Sequence, residues 1–202
     1  MDKKYDKIVI GIDQSYTATG ISIGIDGELN KVSSINYKGL KSKSEKRRYI
    51  RDILHRLLTK ATHKASKVTI ICERIRTFSG GGKGKDKGHI SPSFLKMTGA
   101  LIATIVDVAA EFNVNVYSVD TRAWKSRIVG SSKSKKDKDG KRDAKGDTVK
   151  FIQGLGFDLF IREKMKGKNK GEKIFDDDAA DSGCIALYGF LPVKQQKLVL
   201  EE

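Results

Sequence analysis

An α/β fold on a mixed five-stranded sheet flanked by helices is the class this chain predicts, and three observations predict it. Residues 8–37 hold three short apolar runs separated only by turn residues, the pattern of an antiparallel meander. Two later apolar runs, 68–72 and 114–119, each follow a stretch of helical periodicity, the pattern of parallel strands joined by crossover helices. The length of 202 residues suits one domain carrying long loops.

The first strand is Ile8, Val9, Ile10 and Ile12, ending at Asp13, and the second carries Ile21, Ile23 and Ile25. A carboxylate at the end of a buried strand is costly unless it is paired, and a divalent cation is a frequent partner. The plainer reading is that Asp13 caps the following turn. Gly11 and Gly20 bracket the acid and allow a backbone to approach it. Asp26-Gly27 is a hairpin turn, and residues 28–37 make the third strand with Leu29, Val32 and Ile35. Residues 38–51 hold seven Lys/Arg against one Glu, either a solvated helix approach or a patch facing phosphates.

A helix is expected over 44–65, capped by Ser44, with Tyr49, Ile50, Ile53, Leu54, Leu57, Leu58 and Ala61 on its apolar face. Val68–Cys72 is a buried strand that ends at Glu73, the second acid in such a position. A surface ion pair of Glu73 with Arg74 or Arg76 is the bland alternative. Residues 79–91, SGGGKGKDKGHIS, form a basic loop whose Lys83 and Lys85 suit a phosphate backbone. From Pro92 to Phe112 a second helix presents Leu95, Thr98, Gly99, Ile102, Ile105, Val106, Ala109 and Ala110, a face wide enough for a central helix or a subunit interface.

Val114–Val119 is the fifth strand; Asp120-Thr121 then caps a short helix, Arg122 to Val129, containing Trp124 and Lys125. Residues 131–147 carry seven Lys/Arg and four acids and read as an unstructured basic insertion, followed by a helix with Val149, Ile152 and Leu155. Residues 164–173 are again rich in Lys and Gly. The closing helix, within 175–190, places Asp178 and Asp181 on one side. Capping of the helix N-terminus accounts well for Asp176 and Asp177, but poorly for Asp181 among alanines and a cysteine.

A net charge of +15 points to a polyanionic partner, nucleic acid before membrane. No apolar run is long enough to span a bilayer and the N-terminus has no apolar signal region, so a cytoplasmic protein is expected. Cys72 and Cys184 read as reduced core residues, and His55, His63 and His89 lack zinc-ligand spacing. Oxygen ligands from Asp13, Glu73 and the last helix suit Mg²⁺, and a pair of such ions can serve in-line displacement at phosphorus.

GIDQSYTATG resembles the first motif of RuvC-type Holliday-junction resolvases of the ribonuclease-H-like superfamily; ICERI resembles the second and DAADSGCIAL the last. The similarity continues through FLKMTGALIATI, YSVDTRAWKSRIVG and DAKGDTVKFI, and the Lys/Gly insertions are more like those of phage-borne members. The resemblance implies a ribonuclease-H-like fold and an endonuclease acting on branched DNA as a homodimer with two Mg²⁺ ions per site, Mn²⁺ being a substitute. It implies that Asp13, Glu73, Asp178 and Asp181 are the metal-binding catalytic acids and that Lys125 and Lys145 contact phosphate. Gln14-Ser15 stands where the family has Pro-Gly, and Arg76 where it has an aromatic, with Phe78 two positions on, so Arg76 and Phe78 are candidate DNA contacts. Asp177 replaces Asp178 if the helix register differs. The rival readings are a ribonuclease-H-like nuclease on RNA–DNA hybrids or flaps, and, remotely, an actin- or hexokinase-like ATPase, for which 202 residues are too few.

Overall fold

The computed structural model describes residues 3–15, 17–74, 92–130, 144–163, 171, 173–192 and 197–198, without the side chains of 94, 144, 145, 162, 163, 197 and 198. Strands β1 (Tyr5–Gln14), β2 (Ala18–Ile25) and β3 (Glu28–Asn36) form the expected meander. Asp26 and Gly27 both have positive φ, 48° and 95°, which matches the twist of a tight hairpin. Helix α1 (Lys43–Lys64) then leads into β4 (Ala65–Glu73), and α2 (Pro92–Glu111) into β5 (Asn115–Val119). Strands β4 and β5 lie parallel to β1, as the crossovers require. The five expected strands all form.

A sixth strand was not legible: β8 (Lys197–Leu198) pairs antiparallel with β5, giving the order β3-β2-β1-β4-β5-β8. A separate hairpin, β6 (Phe160–Glu163) with β7 (Lys173–Phe175), was also missed, since each strand is too short for a period of two to register.

Two cores cover the two faces. On one, Ile8, Ile10, Ile12, Ile21, Ile70 and Cys72 pack against α1 and α2. On the other, Val9, Ile71 and Val119 pack against Trp124, α4 (Ala144–Gly154) and α5 (Asp177–Tyr188). Both cysteines are buried and free.

Three local expectations need correction. The N-cap of α1 is Ser42 rather than Ser44, because Glu45, three residues on, completes a capping box with it. The buried face of α2 is Met97, Thr98, Leu101, Thr104, Ile105, Val108 and Ala109; Leu95, Gly99, Ile102 and Val106 are half-buried on its flank and Ala110 is exposed. Apolar residues surround most of this helix, so periodicity alone could not orient it. The short helix at Arg122–Val129 is instead an α-helical turn, α3 (Thr121–Trp124), running into a π-helical turn, Lys125–Val129, closed by Gly130 at φ 78°. No helix among the described residues is long and apolar enough to cross a membrane.

Candidate active site

Four acids converge at the C-terminal edge of the parallel strands, where α/β sheets habitually bind ligands. Asp13 lies near the end of β1 and Glu73 ends β4; Ile12 pairs with Cys72 one residue before each. Helix α5 brings Asp178 and Asp181 to them, and glycine makes that approach possible. Gly20 is the β2 partner of Asp13, and a Cβ there would overlap the carbonyl of Asp178. A Cβ on Gly11 would overlap the backbone of Ser182 and Ala186. The backbone that Gly11 and Gly20 admit is thus that of α5 itself. Ser22 and Ser182, 2.7 Å apart through their hydroxyls, tie the same helix to β2.

Asp176 caps α5, accepting from the Ala179 amide at 2.9 Å and from the Ser34 hydroxyl at 2.5 Å. The carboxyl of Asp13 feels Glu73, Asp181 and Asp178, whereas Asp177 acts on Asp181.

Burial, reinforced by Glu73 and Asp181, pushes the Asp13 carboxyl up to about 9. Burial raises Asp181 as well, against the opposing pull of Lys125 and a hydrogen bond to Thr148. The Lys125 ammonium sits 3.7 Å from Asp181 Oδ2 and over the Trp124 ring, 4.9 Å from its centroid. The other oxygen, Asp181 Oδ1, is buried without a hydrogen-bond partner among the described residues.

These are the marks of a site short of positive charge. Burial and acidic neighbours hold Asp13 toward its protonated form, one lysine serves Asp181, and one buried oxygen of Asp181 is left over. Hard carboxylate oxygens of this kind fit Mg²⁺ or Mn²⁺. Among the described residues no group of three or more His, Cys, Asp or Glu side chains is placed to hold a metal ion.

Three supporting residues escaped sequence reasoning. Thr121 donates its hydroxyl to Glu73 Oε1, the Gln14 amide donates to the Glu73 carbonyl, and Thr148 bonds to Asp181. Hydroxyl and amide residues are common everywhere, and only the three-dimensional arrangement singles these out. Thr121 was read as part of a cap; the cap is Asp120, which frees the threonine hydroxyl for Glu73.

Of the DNA-contact candidates, Lys125 lies in the site, though turned to Asp181. The backbone of Lys145 lies in the first turn of α4, with its side chain outside the description. Arg76, Phe78, Lys83 and Lys85 lie outside the described residues, as do 131–143 and most of 164–173.

No family model and no curated relative matches the chain. Solved structures do. A Thermus thermophilus RuvC in complex with a Holliday junction substrate superposes with a TM-score of 0.61 at 15% identity, over 96% of this chain and 99% of that one. A second T. thermophilus RuvC structure gives 0.59 at 16% identity, over 95% and 99%. The chain therefore has a RuvC-type fold, of the ribonuclease-H-like α/β class.

Proposed function

We propose that this protein is a Mg²⁺-dependent endonuclease that resolves four-way or otherwise branched DNA by paired nicks made in a homodimer. The observation that carries the reading is the convergence of Asp13, Glu73, Asp178 and Asp181 on one strand edge, starved of positive charge, in a chain of net charge +15. Clustered acids alone would repel DNA, and the basic exterior supplies the opposite field. The RuvC-type fold of both solved neighbours, one of them bound to a Holliday junction, supports the choice of substrate.

In this reading Asp13, Glu73, Asp178 and Asp181 would hold the metal, with Asp13 giving up the proton that burial and its acidic neighbours favour. Two divalent ions would supply water activation and neutralisation of the leaving oxygen. Thr121 fixes one oxygen of Glu73 and so the direction of the other. Gln14 holds the end of β4 against β1 through the Glu73 carbonyl. Lys125, 3.7 Å from Asp181 Oδ2, would be free to meet a substrate phosphate at the same edge were a cation to take that carboxylate. Thr148 orients Asp181 through its hydrogen bond.

The dimer is proposed to form through α2. Leu95, Gly99, Ile102 and Val106 make a half-buried apolar stripe at spacings of four, three and four, the seam that pairs helices. A two-fold axis there would set two acidic sites on one junction.

Nuclease assays with Mg²⁺ on a four-way junction, linear duplex and RNA–DNA hybrid test the reading. The junction should be nicked symmetrically and fastest, with duplex bound but cut poorly. Faster degradation of hybrid than of junction would replace the resolvase by a ribonuclease-H activity.

A further inference from the structure

The sheet topology places a second charged feature beside the acids. Strand β1 ends at the same edge where antiparallel β2 begins and β3 ends: Gln14 pairs with Thr19 and Ala18 with Asn36. The segment that follows β3, residues 37–42, therefore leaves from the edge that carries Asp13, and α1 starts there. Tyr37 locks this departure. Its amide bonds to the Thr17 carbonyl at 3.1 Å, and its buried hydroxyl lies 2.6 Å from Thr19 Oγ1. Lys46 covers the Tyr37 ring at 5.5 Å from its centroid.

Residues 38–51 contain seven Lys/Arg and one acid, Glu45. That acid is committed to the backbone: its Oε2 accepts from the amides of Lys41 at 2.6 Å and Ser42 at 3.0 Å, which holds the carboxyl below its usual range. Arg47 is bound to Thr104 and Arg51 to Glu111 of α2. Lys38, Lys41 and Lys43 are exposed, and none forms an ion pair among the described residues. Three adjacent cations on a rigidly tied segment, two strands from the acids, make a fixed rail rather than a diffuse field. Two strand spacings amount to roughly 10 Å, so the rail begins about 3 base pairs along a duplex from the cut, at 3.4 Å per step.

We propose that Lys38, Lys41 and Lys43 form a phosphate rail holding the DNA arm that leaves the acidic site past the β3 edge. The proposal rests on the nuclease reading for the identity of the arm, but its test does not require cleavage. The contacts are to backbone phosphates, so they position an arm without reading its sequence.

The experiment measures affinity for a four-way junction as a function of salt, with Ca²⁺ in place of Mg²⁺. The wild type is compared with the triple variant Lys38→Gln, Lys41→Gln, Lys43→Gln. A control triple of equal charge, Lys60→Gln, Lys64→Gln, Lys67→Gln, removes exposed lysines from the opposite edge, at the end of α1 and the start of β4. Three lost contacts should flatten the slope of log K against log salt by about 2.7, at roughly 0.9 per phosphate, and weaken binding at moderate salt by about 10²-fold or more. The control should leave the slope within about one contact of wild type. Equal slopes for the rail and control variants would overturn the proposal. A wild type that binds with the expected rail dependence but cuts no junction would instead overturn the nuclease reading and leave the rail standing.

Discussion

Replacing Asp13 by asparagine should stabilise the metal-free protein, and by more at higher pH. In the folded chain the Asp13 carboxyl is held up to about 9, against an ordinary 3.8. Between those values the folded state carries a proton that the unfolded state has lost, so stability must fall as pH rises. One such proton costs about 1.4 kcal/mol per pH unit, or roughly 2.7 kcal/mol between pH 6 and pH 8. The amide at position 13 does not titrate. Urea unfolding in EDTA at pH 6, 7 and 8 should show wild type losing that stability and Asp13→Asn losing much less. At about 2–4 °C per kcal/mol for a chain of this size, the difference in the fall of Tm is about 5–10 °C. Asp181, also raised by burial, leaves both proteins a residual slope of the same sign. Saturating Mg²⁺ should flatten the wild-type slope, since a cation then takes the proton's place. Parallel pH dependences for the two proteins in EDTA would refute the account, because they would mean that Asp13 is already ionised in the folded state.

Further outcomes follow from the same geometry. Asp13→Asn, Glu73→Gln, Asp178→Asn and Asp181→Asn should each abolish junction cleavage while sparing or tightening DNA binding, whereas Asp177→Asn should keep most activity; near-normal cleavage by Asp181→Asn would remove that residue from the site. Gly20→Ala should cost about 1–3 kcal/mol in denaturant unfolding and a larger share of cleavage, because the added methyl meets the Asp178 carbonyl; unchanged cleavage would show that α5 can shift without moving the acids. Ile102→Glu on the α2 flank should give monomer by light scattering and convert paired nicks into single ones, and a persistent dimer would place the interface elsewhere.

How far the sequence could be read depended on how much of each signal was local. Asp13 and Glu73 were legible because an acid that ends a run such as Ile8–Ile12 or Val68–Cys72 contradicts its surroundings. Asp178 and Asp181 were legible as a spacing, but not the rotation of the helix that carries them, which is set by the seating of the α5 backbone on Gly11 and Gly20. The rotation of α2 failed for the same reason, since Met97, Leu101 and Val108 are no more apolar than Leu95, Ile102 and Val106. Strand β8, with two residues, has no period to detect.

The glycines explain why a site so unfavourable in isolation persists in the fold. Gathering buried carboxylates costs stability, and the cost must be met by contacts that do not relax when the charges repel. Helix α5 lies with its backbone against β1 and β2 at Gly11 and Gly20, and Gly189 at its end meets Val9 and Ile71. Its inner residues Ala179, Ala180, Cys184 and Ile185 are almost fully buried. To separate Asp178 from Asp13, the helix would have to lift off the sheet and open the second core along its length. Repulsion is therefore expressed where it is cheaper, in protonation of Asp13 and in the turn of Asp181 toward Lys125.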